Sequence, residues 1–144
     1  MKSPLCVIDY FFPFVQVSAD PEFVPEEDPS EINYETKVAV ESDLEKDIHQ
    51  VSLEITAMPE NEDERIPYAI HLIAIGLFQV DEDWDDKEKL LRINGASILY
   101  SAAREFIITI SSRGPWPAAV LPTTSFLPPA TKKGKKKPRI KKVK

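Results

Sequence analysis

Few side chains in this chain are suited to covalent chemistry. Its two histidines, His49 and His71, stand in segments that alternate as strands, away from the single cysteine, Cys6, and in no spacing that gathers a metal ion. Catalysis needs a nucleophile with a base, a metal cluster or a phosphate cradle, and a strand histidine without any of these partners reads as a surface or core filler. The adjacent carboxylates Glu26 with Glu27 and Asp85 with Asp86 have the pairing that acid–base chemistry uses, but they lie in acidic runs that read as solvated loop charge. The four glycines form no phosphate-binding loop. The expectation is a protein that is not an enzyme and uses no cofactor or metal.

What remains is non-covalent chemistry. Tyr10, Phe11, Phe12 and Phe14 place four rings within five positions, and a strand cannot turn all of them to one side. Some must be exposed or covered by another chain. They serve either a core with a subunit interface or an apolar groove for extended polypeptide, which rings and an edge strand hold without reading its sequence. At the other end, KKGKKKPRIKKVK (132–144) carries nine of the eighteen Lys and Arg and no acid. Residues 1–131 therefore hold nine basic against twenty-four acidic groups, a net charge of −15. Such a tail suits nucleic acid, the ribosome or another anionic surface, or the acidic body itself, and without interleaved aromatics it does not suggest base stacking.

The elements that must position these groups follow from periodicity. Leu5 to Val17 is β-branched and aromatic, with Pro13 marking an edge or bulged strand. Residues 20–31, with three prolines and six acids, form a loop. Tyr34 to Glu41 and Gln50 to Met58 alternate as strands with one polar face. Ile66 to Val80 puts Tyr68, Ile70, Leu72 and Phe78 on one face and Ile73, Ile75 and Leu77 on the other, so both faces need cover. After an acidic stretch at 81–88 that forms a solvated loop or a short helix start, an apolar stripe of Ile98 or Leu99, Ala102, Ala103, Phe106, Ile107 and Ile110 predicts a long helix from about Asn94 to Ser112. Asn94 is its expected cap, Arg113 suits its last turn, and Gly114 fits a left-handed stop before Pro115 and Pro117.

The fold class is α+β, a four-stranded antiparallel sheet with one long helix, built on a meander. The length of 144 residues allows one domain, 1–127, followed by a disordered basic tail, 128–144. A lone cysteine suits a reducing compartment, and neither a signal peptide nor a run of roughly 20 apolar residues is found. A cytoplasmic protein that is not integral to a membrane is expected.

From Asn94 to Phe126 the chain reads NGASILYSAAREFIITISSRGPWPAAVLPTTSF, and in this form it resembles the SecB family of bacterial export chaperones. The positions that carry the resemblance are Tyr100, Arg104, Glu105, Ser112, Arg113, Gly114, Trp116, Pro117, Leu121, Pro122 and Phe126. A second match is Gly76-Leu77-Phe78-Gln79-Val80, and the strands follow in the family's order over about residues 5–126. The resemblance implies a homotetramer, a dimer of dimers with helices between outer sheets. It also implies an ATP-independent holdase that keeps unfolded or precursor chains in apolar grooves.

Phe78 and Trp116 are carried over as groove rings, and Tyr10, Phe11, Phe12 and Phe14 are added from the strand reading. Tyr100, Ala103, Phe106, Ile107 and Ile110 are the expected oligomer interface. Two departures matter. The family's acid five residues before the motif glycine, part of a patch that engages the translocase ATPase SecA, is His71 here, and its first-strand acids fall at Phe14 or Val15 and at Ser18 or Ala19. This counts against SecA as a partner and towards a dedicated client, such as the antitoxin of a toxin–antitoxin system. The family's second helix and acidic tail are replaced by LPPATKKGKKKPRIKKVK. An acidic interaction module with a nucleic-acid-binding tail is the alternative from another class.

Overall fold

The structure, a computed structural model, describes residues 3–25 and 33–127. The tail expected at 128–144 lies outside the described residues. Four strands, β1 (Leu5–Ala19), β2 (Glu35–Asp43), β3 (Ile48–Ala57) and β4 (Tyr68–Val80), form one antiparallel sheet in the order β1-β4-β3-β2. The expected meander holds for β2, β3 and β4, whereas β1 pairs along β4 and becomes the opposite edge. That placement covers one flank of the most apolar strand and leaves β2, whose Glu35, Lys37 and Glu41 are exposed, at the other edge.

The β1–β4 register shifts between Val7 and Asp9 and again between Phe11 and Phe14. Pro13, which has no ladder donor, sits in the second irregularity, as an edge position allows. Each shift changes which face the following side chains occupy. In the β2–β3 turn the Asp43 carboxylate accepts the Glu45 and Lys46 N–H groups, and Asp47 takes a positive φ of 53°.

The helix begins earlier than the stripe predicts. Asp86, not Asn94, is the N-cap, its carboxylate accepting from the Lys89 N–H. From there α1 (Lys87–Leu90) passes through a π-helical turn (Leu91–Gly95) into α2 (Ala96–Ser111) without leaving right-handed helical geometry. The wider turn shifts the phase of the side chains, so buried Leu90 and Leu91 fall outside the 3.6-residue repeat extrapolated from α2. Gly95 lies against β3, where an added Cβ would stand 3.0 Å from Val51 Cγ2.

One face of the sheet and this helix enclose the core: Val51, Leu53 and Ile55 from β3, Ile70, Leu72 and Phe78 from β4, and Leu91, Leu99 and Ile107 from the helix are wholly buried. Gly76 makes room for Phe78 two residues on, since a Cβ there would come within 2.6 Å of the ring and 3.0 Å of Leu99.

The helix end is also decided by tertiary contact. No glycine has a positive φ among the described residues, so Gly114 is not a left-handed stop. It is small because Tyr68 is there: a Cβ on Gly114 would lie 2.2 Å from the Tyr68 hydroxyl. That hydroxyl stands 3.0 Å from the carbonyls of both Ser111 and Trp116 and accepts the Trp116 N–H at 3.1 Å. Buried Ser111 donates to the Ile107 carbonyl and accepts the Ala119 N–H, each at 2.7 Å. The Trp116 indole N–H reaches the Asp20 carbonyl at 2.9 Å, and Phe23 packs edge-on against the same ring.

The returning segment is fastened to the helix by Arg104 Nε, 2.6 Å from the Leu121 carbonyl, and by the Tyr100 hydroxyl, 2.5 Å from that of Pro122. Burial first, then a hydrogen bond to Tyr34, pushes the Tyr100 pKa well up, so it remains a neutral donor.

Candidate functional site

Among the described residues, which do not include Glu26 and Glu27, the side chains that sequence reading marked for chemistry do not converge. His49 is buried, with Nδ1 2.7 Å from the Ser42 hydroxyl, the Asp47 carboxylate 3.8 Å from Nε2, and no hydrogen-bond partner for Nε2 among the described residues. His71 lies on the opposite sheet face, with Nε2 2.6 Å from the Glu54 carboxylate and its ring edge-on to Phe14 at 4.9 Å. Among the described residues no group of three His, Cys, Asp or Glu is placed to hold a metal ion, and no helix is long and apolar enough to cross a membrane.

The aromatic run on β1 does build a surface. Because of the register shifts, Tyr10 stands opposite Gly76 on the helix side, while Phe11 stands opposite Ile75 and Phe14 opposite Ile73 on the open face. Phe12 turns to the helix and packs on Phe106, ring centroids 5.1 Å apart. The four rings are thus divided between the faces of an edge strand.

On the open face Phe11 is 45% and Phe14 42% exposed, beside half-buried Ile73, Ile75 and Leu77. On the helix side Val7 and Tyr10 are exposed, and the helix residues Phe106 and Ile98 are partly exposed as well. Between the faces runs the outer edge of β1, unpaired by any described strand. An open groove of about 410 Å³ continues this rim between Leu5 and the helix residues Leu90 and Ile98. Apolar side chains on both faces and free backbone polar groups between them are what an added strand or an extended peptide requires.

The carried-over rings fare differently. Phe78 is 0% exposed beneath the helix, so within one chain it supports the sheet and offers no surface to a ligand. Trp116 is half-buried, with its N–H committed to Asp20. Of the expected interface residues, Tyr100, Ala103 and Ile107 are buried within the chain itself, against its own sheet and return segment. Phe106, on the flank where Phe12 packs, and half-buried Ile110 retain part of their surface. Sequence reading named Ile73, Ile75 and Leu77 as needing cover without joining them to the β1 rings. The missing link was the register, since nothing local says that β1 lies beside β4.

The architecture is thus a single helix laid on one face of a four-stranded antiparallel sheet, with an apolar rim along the β1 edge. The family model described as preprotein translocase subunit SecB matches residues 12–128, and the chain belongs to the SecB family. Among solved structures it is similar to a SecB-like chaperone of Mycobacterium tuberculosis in complex with a ChAD peptide from an antitoxin. That match has 17% identity and a TM-score of 0.62, covering 85% of this chain and 91% of that one. It is also similar to a protein of unknown function from Streptococcus agalactiae, at 12% identity and a TM-score of 0.52, covering 83% of this chain and 97% of that one. A search of curated proteins gives no match.

Proposed function

We propose that this member of the SecB family is an ATP-independent holdase that takes non-native polypeptide on the rim of β1. The observation that carries the reading is the two-faced apolar edge, with Phe11, Phe14, Ile73 and Ile75 on one side and Val7, Tyr10 and Phe106 on the other. Hydrophobic burial at roughly 25 cal/mol per Å² holds a client without sequence reading, and the strand edge supplies backbone hydrogen bonds. A cytoplasmic homotetramer, as the family resemblance implies, would bring several such rims together, with Phe106 and Ile110 at contacts between copies.

Within this class the favoured client is a dedicated one, such as an antitoxin, ahead of export precursors in general. The peptide held by the Mycobacterium tuberculosis relative supports it. So does His71, which stands where the resemblance expects an acid for SecA and closes Glu54 into a hydrogen-bonded pair. The test is aggregation of a chemically unfolded client followed by light scattering, without nucleotide, together with the molar mass of the protein alone and with client. Suppression near one rim per client and a mass above the monomer are expected. A monomer that leaves aggregation unchanged refutes the proposal.

A further inference from the structure

Two shallow open grooves adjoin where the loop after β4 enters the helix. One, about 540 Å³, is floored by Trp84, Leu90 and Ile93 and rimmed by Asp83, Asp85 and Asp86, with Lys89 the cation at its edge. The other, about 260 Å³, shares Asp86, Lys89 and Ile93 with the first and ends on Phe126. Trp84 is 44% exposed, and its indole N–H meets no hydrogen-bond partner among the described residues. A large ring left bare among carboxylates has no part in the core or in the β1 rim.

We propose that this apolar groove is the docking site of the chain's own basic segment, residues 132–144. Two observations select that occupant. The groove runs to Phe126, one residue before the described chain ends at Leu127. Lys132, six residues beyond Phe126, can therefore lie up to about 20 Å from it and reach the whole floor. The charges are also complementary: residues 81–86 hold five acids around Trp84, and residues 132–144 hold nine cations with no acid.

Lysine stems lie on an apolar floor while their ammonium groups meet the rim carboxylates, and an indole face attracts a cation directly. Tethering raises the segment's effective concentration to about the millimolar range, so individually weak contacts suffice. The acidic turn at Glu60, Glu62, Asp63 and Glu64 lacks this continuity with the chain's exit. One consequence is that an external polyanion must compete with this groove for the tail.

The test is acrylamide quenching of Trp84 in the full chain, with the Trp116 signal obtained from Trp84→Phe. Trp84 is expected to be protected relative to a variant whose nine tail Lys and Arg are replaced by Gln. Protection should vanish as the Debye length falls from about 10 Å at 0.1 M to about 3 Å at 1 M salt. Asp83→Asn with Asp85→Asn should abolish it, Glu62→Gln with Asp63→Asn should leave it, and dilution should not change it. Equal quenching with and without tail charge overturns the proposal, as does protection that survives Asp83→Asn with Asp85→Asn. Protection lost on dilution would place the tail on a second copy, and a tail that binds a short oligonucleotide while leaving Trp84 unprotected would assign it to an external polyanion. Either result also overturns docking in cis.

Discussion

Replacing Phe11 and Phe14 together by threonine tests the proposed rim directly. Threonine keeps a β-branched side chain on the edge strand while removing both rings from the open face. With 45% and 42% of these residues exposed, complete cover by a client would remove roughly 80 to 90 Å² per ring, or ~2 kcal/mol each at about 25 cal/mol per Å². That is a ceiling of about 30-fold in Kd per ring. Ordering of client and side chains offsets part of it, so the double variant should bind at least about ten-fold more weakly. Fluorescence anisotropy of a labelled, permanently unfolded polypeptide gives Kd, and circular dichroism melting shows that the fold persists. Leu44, more exposed than either ring but isolated in the β2–β3 turn, is the control, and Leu44→Ser should leave binding unchanged. A double variant that melts normally and binds within a factor of about two of the natural chain would refute the reasoning, because two half-exposed rings cannot then be where the client is buried.

Other substitutions probe the scaffold. Gly114→Ala should cost about 1–3 kcal/mol in urea unfolding, because the new methyl collides with Tyr68, and the cost should shrink in a Tyr68→Phe background. Gly76→Ala should lower stability by a similar ~1–3 kcal/mol by pushing on the Phe78 ring and Leu99. Trp116→Phe removes the N–H that serves the Asp20 carbonyl and should cost about 1 kcal/mol, read from the same unfolding curves. Asp20 has its pKa lowered, first by the Glu22 N–H and then by Arg65, so it favours the fold above its unfolded value and ceases to do so as pH falls through its folded one. Asp20→Asn should therefore lower the melting temperature at neutral pH, and the difference should close below about pH 4.

Periodicity was enough for the strands. Alternation in residues 50–58 and 66–80 named the faces of β3 and β4 correctly, because a side chain's face depends only on its neighbours two residues away. Crowding of rings at 10–14 also announced that they must divide. Which ring went where was not legible, since the two β1 irregularities reset the alternation and are fixed by pairing with β4. A short helix start within 81–88 was legible as one of two readings, but its continuity with the long helix was not, because the π turn breaks the repeat that was being extrapolated, although Asp86 is as good a cap by type as Asn94. The alternation put Phe78 on one face with Tyr68, Ile70 and Leu72, but the space for its ring comes from Gly76 and Gly95, the second supplied by another element, and no local pattern shows that.

The sequence by itself determined that this chain would be a small sheet with one helix and a surplus of exposed rings. Its spaced motif from Tyr100 to Phe126 also carried the resemblance to a chaperone family. Only the tertiary structure gave those motif positions their physical meaning. Tyr100 and Arg104 hold the backbone at Pro122 and Leu121, and Gly114 is small because Tyr68, 46 positions earlier in the chain, occupies the space a side chain would need. Such requirements arise between segments that are remote in sequence. They become visible only when packing has brought the segments within a few ångströms of each other.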